Sequence, residues 1–276
     1  MSRMFDRFAN GQMAVGTMMM EHGPEWMELL GYVGMDYGIA DMMNASIDWR
    51  DASEMVRALD RNNVTPWIRL QSYPWGSDDV DPRLPADVFR ALGLGAEGVM
   101  ASVNTARAVE RLLVPLKEDE ENAWVHTRPY LNRPLYMPRD GSVRRDDDKS
   151  TRRMVVPDLE SVEALKNLDE ILEVDGLQAI FISLADISQA MGHPFDYSHP
   201  EMMKVVTDSC AKAAKKGVIV FTFTGGSTPD EVGERVKTLW EAGVRGMYVP
   251  RLTVAAQRFY ERMLHSVEEK MPEARH

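Results

Sequence analysis

Short apolar runs alternate with longer amphipathic stretches along this chain. The apolar runs fall at 13–20, 37–43, 65–70, 98–103, 122–128, 153–160, 179–186, 217–224 and 246–252. Most are continuous, such as AIFISLAD, rather than alternating. That is the pattern of parallel strands covered on both faces. Helical periodicity predicts helices over 24–33, 51–62, 85–94, 161–173, 199–215, 228–241 and 253–267. Asp51, Ser161, Thr228 (ahead of Pro229) and Thr253 read as N-caps.

Nine runs are one more than an eight-stranded barrel takes. The surplus one is 122–128, which leads into PYLNRPLYMPRDGSVRRDDDKSTRR, a proline- and charge-rich loop. No repeat and no linker divides two cores. The expected fold is α/β: one (β/α)8 TIM barrel over 1–276 with an elaborated loop around 129–152. An open doubly wound sheet fits less well, because no glycine-rich phosphate loop follows the first run.

Barrel chemistry gathers at the C-terminal ends of strands. Those ends carry Glu21 and His22, Asp41 and Asn44, Arg69, Asp158 and Glu160, and Asp186. Asp158 and Glu160 are two apart in an extended run, so their side chains share a face. Carboxylates gathered at one mouth repel, and each costs several kcal/mol to desolvate without a partner. A divalent cation relieves both problems, and oxygen-only ligands favour Mg²⁺ or Mn²⁺. Taken singly, each acid also reads as a helix cap or a solvated residue, and Arg69 as an ion-pair partner. His199 reads as a helix-start residue, His265 and His276 as solvent-exposed, and the arginines of 128–153 as a solvated loop balanced by DDD.

Composition narrows the partners. The formal net charge is -11 and 44% of residues are hydrophobic. Such acidity disfavours nucleic acid and anionic membrane, while leaving room for a small anionic substrate. The lone cysteine, Cys210, cannot form a disulfide within the chain. With no apolar segment of signal-peptide or membrane-spanning type, it points to a reduced, cytoplasmic setting.

The segment LESVEALKNLDEILEVDGLQAIFISLADISQAMGHP, 159–194, resembles the HpcH/HpaI aldolases, the metal-dependent class II pyruvate aldolases related to the citrate lyase beta chain. Its glutamate, its N-x-D-E-I pattern and the aspartate of its A-D-I-S segment stand at the family's spacing. GPEWMELLGYVGMDYGIAD, PWIRL and GAEGVMASVNTARAV extend the similarity over about 10–265. The resemblance implies a TIM barrel in a homo-oligomer, hexamer or trimer, whose last helix packs on a neighbour. It implies a divalent metal (Mg²⁺ or Mn²⁺, with Co²⁺ as a further option) on Glu160 and Asp186. Arg69 would contact the 2-oxo acid, and Asp41, Asn44, Ser183 and Ala185 would line the pocket.

The chain also departs from that pattern. The D-x-E-H segment is DMMN here, so Asn44 stands in place of the histidine that acts as general base. The acid that partners that histidine is Gly93, and glutamine is replaced by Asp158. Asparagine cannot accept a proton near neutral pH. Three readings follow. In one, the base has moved, to His22, Asp158 or His126. In another, a base-independent decarboxylation or other lyase reaction of a 2-oxo diacid replaces aldol cleavage. In the third, the barrel binds a metabolite without catalysis. The first sets the leading expectation: a carbon–carbon lyase acting on a 2-oxo acid or related small carboxylate, with Arg69, His22 and Asp158 catalytic.

Overall fold

The computed structural model describes residues 3–72, 81–122, 152–226 and 228–271, with the side chains of 117–122 excepted. Eight parallel strands close into a barrel in sequence order. They are β1 Ala14–Met19, β2 Tyr37–Asp41, β3 Thr65–Arg69, β4 Gly98–Ser102, β5 Met154–Leu159, β6 Ala179–Ile182, β7 Ile219–Phe223 and β8 Val244–Tyr248. The ring closes through β1 and β8, with Gly16 opposite Tyr248. This is the (β/α)8 barrel expected from the alternation of runs. The surplus run 122–128 and the loop around 129–152 lie, all but Asn122 and Arg152, outside the described residues, as does His126.

The helices are α1 Arg3–Ala9, α2 Pro24–Val33, α3 Trp49–Arg61, α4 Leu84–Leu94, α5 Ala106–Asn122, α6 Val162–Lys166, α7 Leu168–Ile171, α8 Leu184–Ala190, α9 Pro200–Lys215, α10 Pro229–Glu241 and α11 Leu252–Lys270. Several local expectations need correction. Asp48, not Asp51, caps α3: its carboxylate accepts from the backbone N–H of Arg50 and Asp51, while Asp51 bonds back to the Asp48 N–H. Helix α11 starts behind Arg251, which places Thr253 inside it. The single helix expected over 161–173 is broken at Asn167, whose amide turns inward to the Asn104 carbonyl. Ser161 and Thr228 do cap α6 and α10.

The interior of the barrel is filled by paired opposites. Tyr37, Trp67 and Phe221 are fully buried, and each sits in register beside a glycine: Gly16, Gly98 and Gly246. A Cβ at Gly98 would stand 2.2 Å from the Trp67 ring, and one at Gly246 1.9 Å from Phe221. Three large rings therefore fit one narrow barrel because the neighbouring strand carries no side chain there. Below them α1 closes the N-terminal end, where Met4 is buried and Phe8 meets Phe221 edge-on at 5.7 Å. At that end Thr65 Oγ1 accepts the Met4 N–H, while Asp41, Arg69 and Asp158 lie at the opposite, C-terminal mouth. Among the described residues, no helix is long and apolar enough to cross a membrane.

Candidate active site

Strand pleating decides which residues reach the mouth. On β2 the inward side chains run Tyr37, Ile39, Asp41, on β3 Thr65, Trp67, Arg69, and on β5 Met154, Val156, Asp158. The last of each set forms the top layer, and in the register Asp41 lies beside Arg69 and Ser102 beside Asp158. Both carboxylates are fully buried and Arg69 nearly so.

Arg69 is the hub of this layer. Its Nη2 donates to Asp158 Oδ2 at 2.8 Å and to Glu160 Oε2 at 2.6 Å, and its Nη1 stands 3.7 Å from Asp41 Oδ2. Asp158 and Glu160 thus face the same way, as their two-residue spacing requires. Burial works against the guanidinium charge, but Asp158, Asp41, Glu160 and Asp186 outweigh it and raise its pKa. The acids pay the reverse cost. Burial pushes both Asp158 and Glu160 above the usual carboxylate range, Arg69 opposes this, and the Asp186 charge adds to it. Four carboxyl groups therefore share one arginine, and Asp158 Oδ1 is buried with no hydrogen-bond partner.

Asp41 also shapes the turn after β2. Its Oδ1 accepts from the N–H of Met43 at 2.8 Å and of Asn44 at 3.2 Å, which ends the strand at Asp41 rather than at residue 43. Asn44 is exposed, with Nδ2 at 3.5 Å from Asp41 Oδ2. Asp186 corrects another boundary. β6 ends at Ile182, and Asp186 lies in the first turn of α8, where the helix dipole favours an acid. A continuous apolar run carries no period to separate strand from buried helix, so AIFISLAD hid this junction. Ser183 donates its hydroxyl to Asp186 Oδ2 and so aims the carboxylate, while the Ala185 carbonyl accepts from Ser188 at 2.7 Å.

His22 has other partners. Its Nε2 lies 3.5 Å from Asp51 and 3.6 Å from Glu54, both on α3, and its side chain is 43% exposed. Among the described residues the structure brings together Arg69, Asp41, Asp158, Glu160 and Asp186, and does not bring His22 into that group. Elsewhere His193 and His199 stack at 3.4 Å with 16° between their planes, beside Glu201. A ring nitrogen binds a metal in its own ring plane, so these parallel lone pairs do not converge on one ion.

Tyr248 and Phe223 complete the mouth and were not foreseen from the sequence. Placing the last strand at 246–252 set its start two residues and its end four residues too far along. With β8 at Val244–Tyr248, the strand-end rule that singled out Arg69 also singles out Tyr248. Asp41 and Arg69 are among the charges acting on its buried phenol.

A closed eight-stranded barrel with acids and an arginine at its C-terminal mouth defines the class: a (β/α)8 barrel with an anion-and-cation centre of enzyme type. The HpcH/HpaI aldolase/citrate lyase family model matches residues 23–251, and the chain belongs to that family. A 2-dehydro-3,6-dideoxy-6-sulfogluconate aldolase of Pseudomonas putida is 26% identical over 229 residues, 79% of this chain and 80% of the relative. A 4-hydroxy-2-oxo-heptane-1,7-dioate aldolase of Klebsiella pneumoniae is 32% identical over 204 residues, covering 69% and 67%. In fold, an HpcH/HpaI aldolase from Desulfitobacterium hafniense superposes with a TM-score of 0.75 at 22% identity, covering 98% of each chain.

Proposed function

We propose that this protein is a divalent-metal-dependent carbon–carbon lyase of the aldolase type, acting on a 2-oxo acid or a related small carboxylate. Family membership and the aldolase relatives support the lyase class. The observation that carries the finer reading is Arg69, held at the barrel mouth by Asp158 and Glu160 with Asp41 and Asp186 in electrostatic reach.

The donor set fits a hard cation. Its ligands would be carboxylate oxygens, the group carries more negative charge than Arg69 balances, and Asp158 Oδ1 lacks a partner. Glu160 and Asp186 are the residues assigned to hold Mg²⁺ or Mn²⁺. The ion would supply positive charge where the keto oxygen becomes an enolate oxygen. Arg69 binds the substrate carboxylate through its planar fork and adds a permanent charge beside that oxygen. Asp158 and Asp41 position the guanidinium. Ser183 orients Asp186, while Asn44 and Ala185 line the entrance.

A second reading is favoured by one observation. Asn44 occupies the turn where the resemblance implies a histidine base, and His22 is engaged with Asp51 and Glu54. Decarboxylation of a 2-oxo diacid reaches the same enolate without removing a hydroxyl proton. The test supplies 4-hydroxy-2-oxo acids and, separately, oxaloacetate with Mg²⁺ or Mn²⁺, and follows pyruvate above the metal-only background. Pyruvate from the hydroxy-oxo acids is the expected result. Pyruvate from oxaloacetate alone selects the second reading, and turnover of neither overturns both. Glu160→Gln and Asp186→Asn should each weaken Mn²⁺ binding by more than the ~10–100-fold that outer-sphere changes cost.

The same reading includes a homo-oligomer. Helix α11 buries none of its side chains and exposes Phe259, Tyr260, Met263, Leu264 and Val267 at helical spacing. An apolar stripe of that kind is stable in water when another copy covers it. Light scattering should return the mass of a trimer or hexamer.

A further inference from the structure

We propose that Arg251 forms a distal anion subsite, so that the pocket selects 2-oxo acids whose far end carries a second negative charge. This deepens the lyase reading and rests on it for the orientation of the ligand, with the 2-oxo acid end at Arg69.

The subsite begins with an aromatic wall. Phe223 packs on Tyr248 with centroids 4.8 Å apart, and Tyr197 meets Phe223 edge-on at 5.5 Å. The wall is fixed from behind. Gly225 has a φ of +62°, and a Cβ there would stand 2.5 Å from the Tyr197 ring, so only glycine lets the ring lie so close. Arg235 lies 5.8 Å from the same ring centroid and is tied to the Thr224 carbonyl at 2.8 Å and to Ser198 Oγ at 3.1 Å. Two of its donors thus hold the wall.

One end of the wall adjoins the acid and arginine centre. Asp41 and Arg69 act on the Tyr248 hydroxyl, and Asp186 acts on that of Tyr197. Arg251 acts on both phenols. It sits three residues past the end of β8, on the mouth side of the barrel, and is half-buried. Its carbonyl accepts from the Ala255 N–H at 2.9 Å, but among the described residues its side chain makes no hydrogen bond and no ion pair. In a chain with 43 acidic residues and a net charge of -11, a half-buried arginine whose side chain pairs with none of the described carboxylates is an exception. Buried charge is ordinarily paired, and an unpaired fork is preorganised for an incoming oxyanion. Between Arg69 and Arg251 the wall offers apolar faces that suit the carbon chain of a ligand spanning the two.

The experiment is calorimetric titration of the Mg²⁺-loaded protein with matched ligands. One set ends in methyl, beginning with 2-oxobutyrate. A second ends in carboxylate, with 2-oxoglutarate and 2-oxoadipate. A third ends in phosphonate or sulfonate at the same chain lengths and shows which anion the subsite prefers. A hydrogen bond to a charged group corresponds to a preference of about 10–150-fold for the charged ends. Arg251→Ala should collapse that ratio towards one, and Arg251→Lys should keep part of it. Equal affinity for both ends in the unaltered protein overturns the subsite. So does no binding of any ligand, or an Arg251→Ala variant that weakens all ligands alike, as a purely structural role would. If charged ends are preferred but no pyruvate is ever released, the lyase reading fails and the subsite stands. If pyruvate is released and the ends are not distinguished, the subsite fails alone.

Discussion

Arg69 Nη2 stands 2.6 Å from Glu160 Oε2, although the two residues are 91 positions apart in the chain. The contact exists because β3 and β5 flank β4 in the closed barrel, and both residues lie at the mouth end. It makes the charge of Arg69 part of the fold as well as of the site. Arg69→Ala strands buried acids, and breaking one side of a buried pair costs about 3–5 kcal/mol. Near neutral pH that loss should appear in full in urea unfolding. Without the arginine the carboxyls have raised folded-state pKa values, so their protonated forms are favoured by folding. The deficit should therefore shrink as the solution is made mildly acid, and a deficit that grows there would contradict the charge reading.

Asn44 tests where the proton goes. Its amide lies at the mouth beside Asp41 but cannot serve as a base. General-base catalysis contributes about 10²–10⁴ in rate. Asn44→His is expected to raise cleavage of 4-hydroxy-2-oxo acids within that range while leaving decarboxylation of oxaloacetate little changed. An unaltered cleavage rate would locate the proton acceptor away from this turn.

Gly98 tests the packing of the barrel. A methyl group there meets the Trp67 ring at 2.2 Å, and neither strand can move without disturbing its neighbours. Overpacking of this kind costs about 1–3 kcal/mol, so Gly98→Ala should lower the melting temperature by several degrees. Gly233, inside α10, has nothing within 4 Å of its added Cβ. Gly233→Ala should instead add about 0.5–1 kcal/mol, since alanine is the better helix residue. Opposite signs for the same chemical change would separate crowding from propensity.

Cys210 reports on opening of the molecule. Burial pushes its thiol up to about 12. At mildly alkaline pH the folded protein should therefore resist thiol reagents, and labelling should follow unfolding. The unfolded thiol, with a pKa of about 8.5, releases its proton first. Between these values the unfolded state binds fewer protons, so stability falls as pH rises through the window. Rapid labelling of the native protein would show that the α9 packing around Cys210 opens locally.

The barrel order, the shared face of Asp158 and Glu160, and the place of Arg69 at a strand end were all legible in the residues. Each depends on a local period: apolar runs alternating with helical stretches, and side chains alternating along a strand. Where the period was lost, the reading slipped. The unbroken run before Asp186 concealed a helix start, and the last strand was set too late to reveal Tyr248. Tertiary closure decided the rest. It gave His22 the carboxylates of α3 as partners, gathered Asp41, Asp158, Glu160 and Asp186 around one guanidinium, and left Arg251 near two phenols with no ion pair among the described residues. Such relations join residues from separate strands and loops. They are set by which strands become neighbours when the barrel closes, and no local pattern encodes that distance.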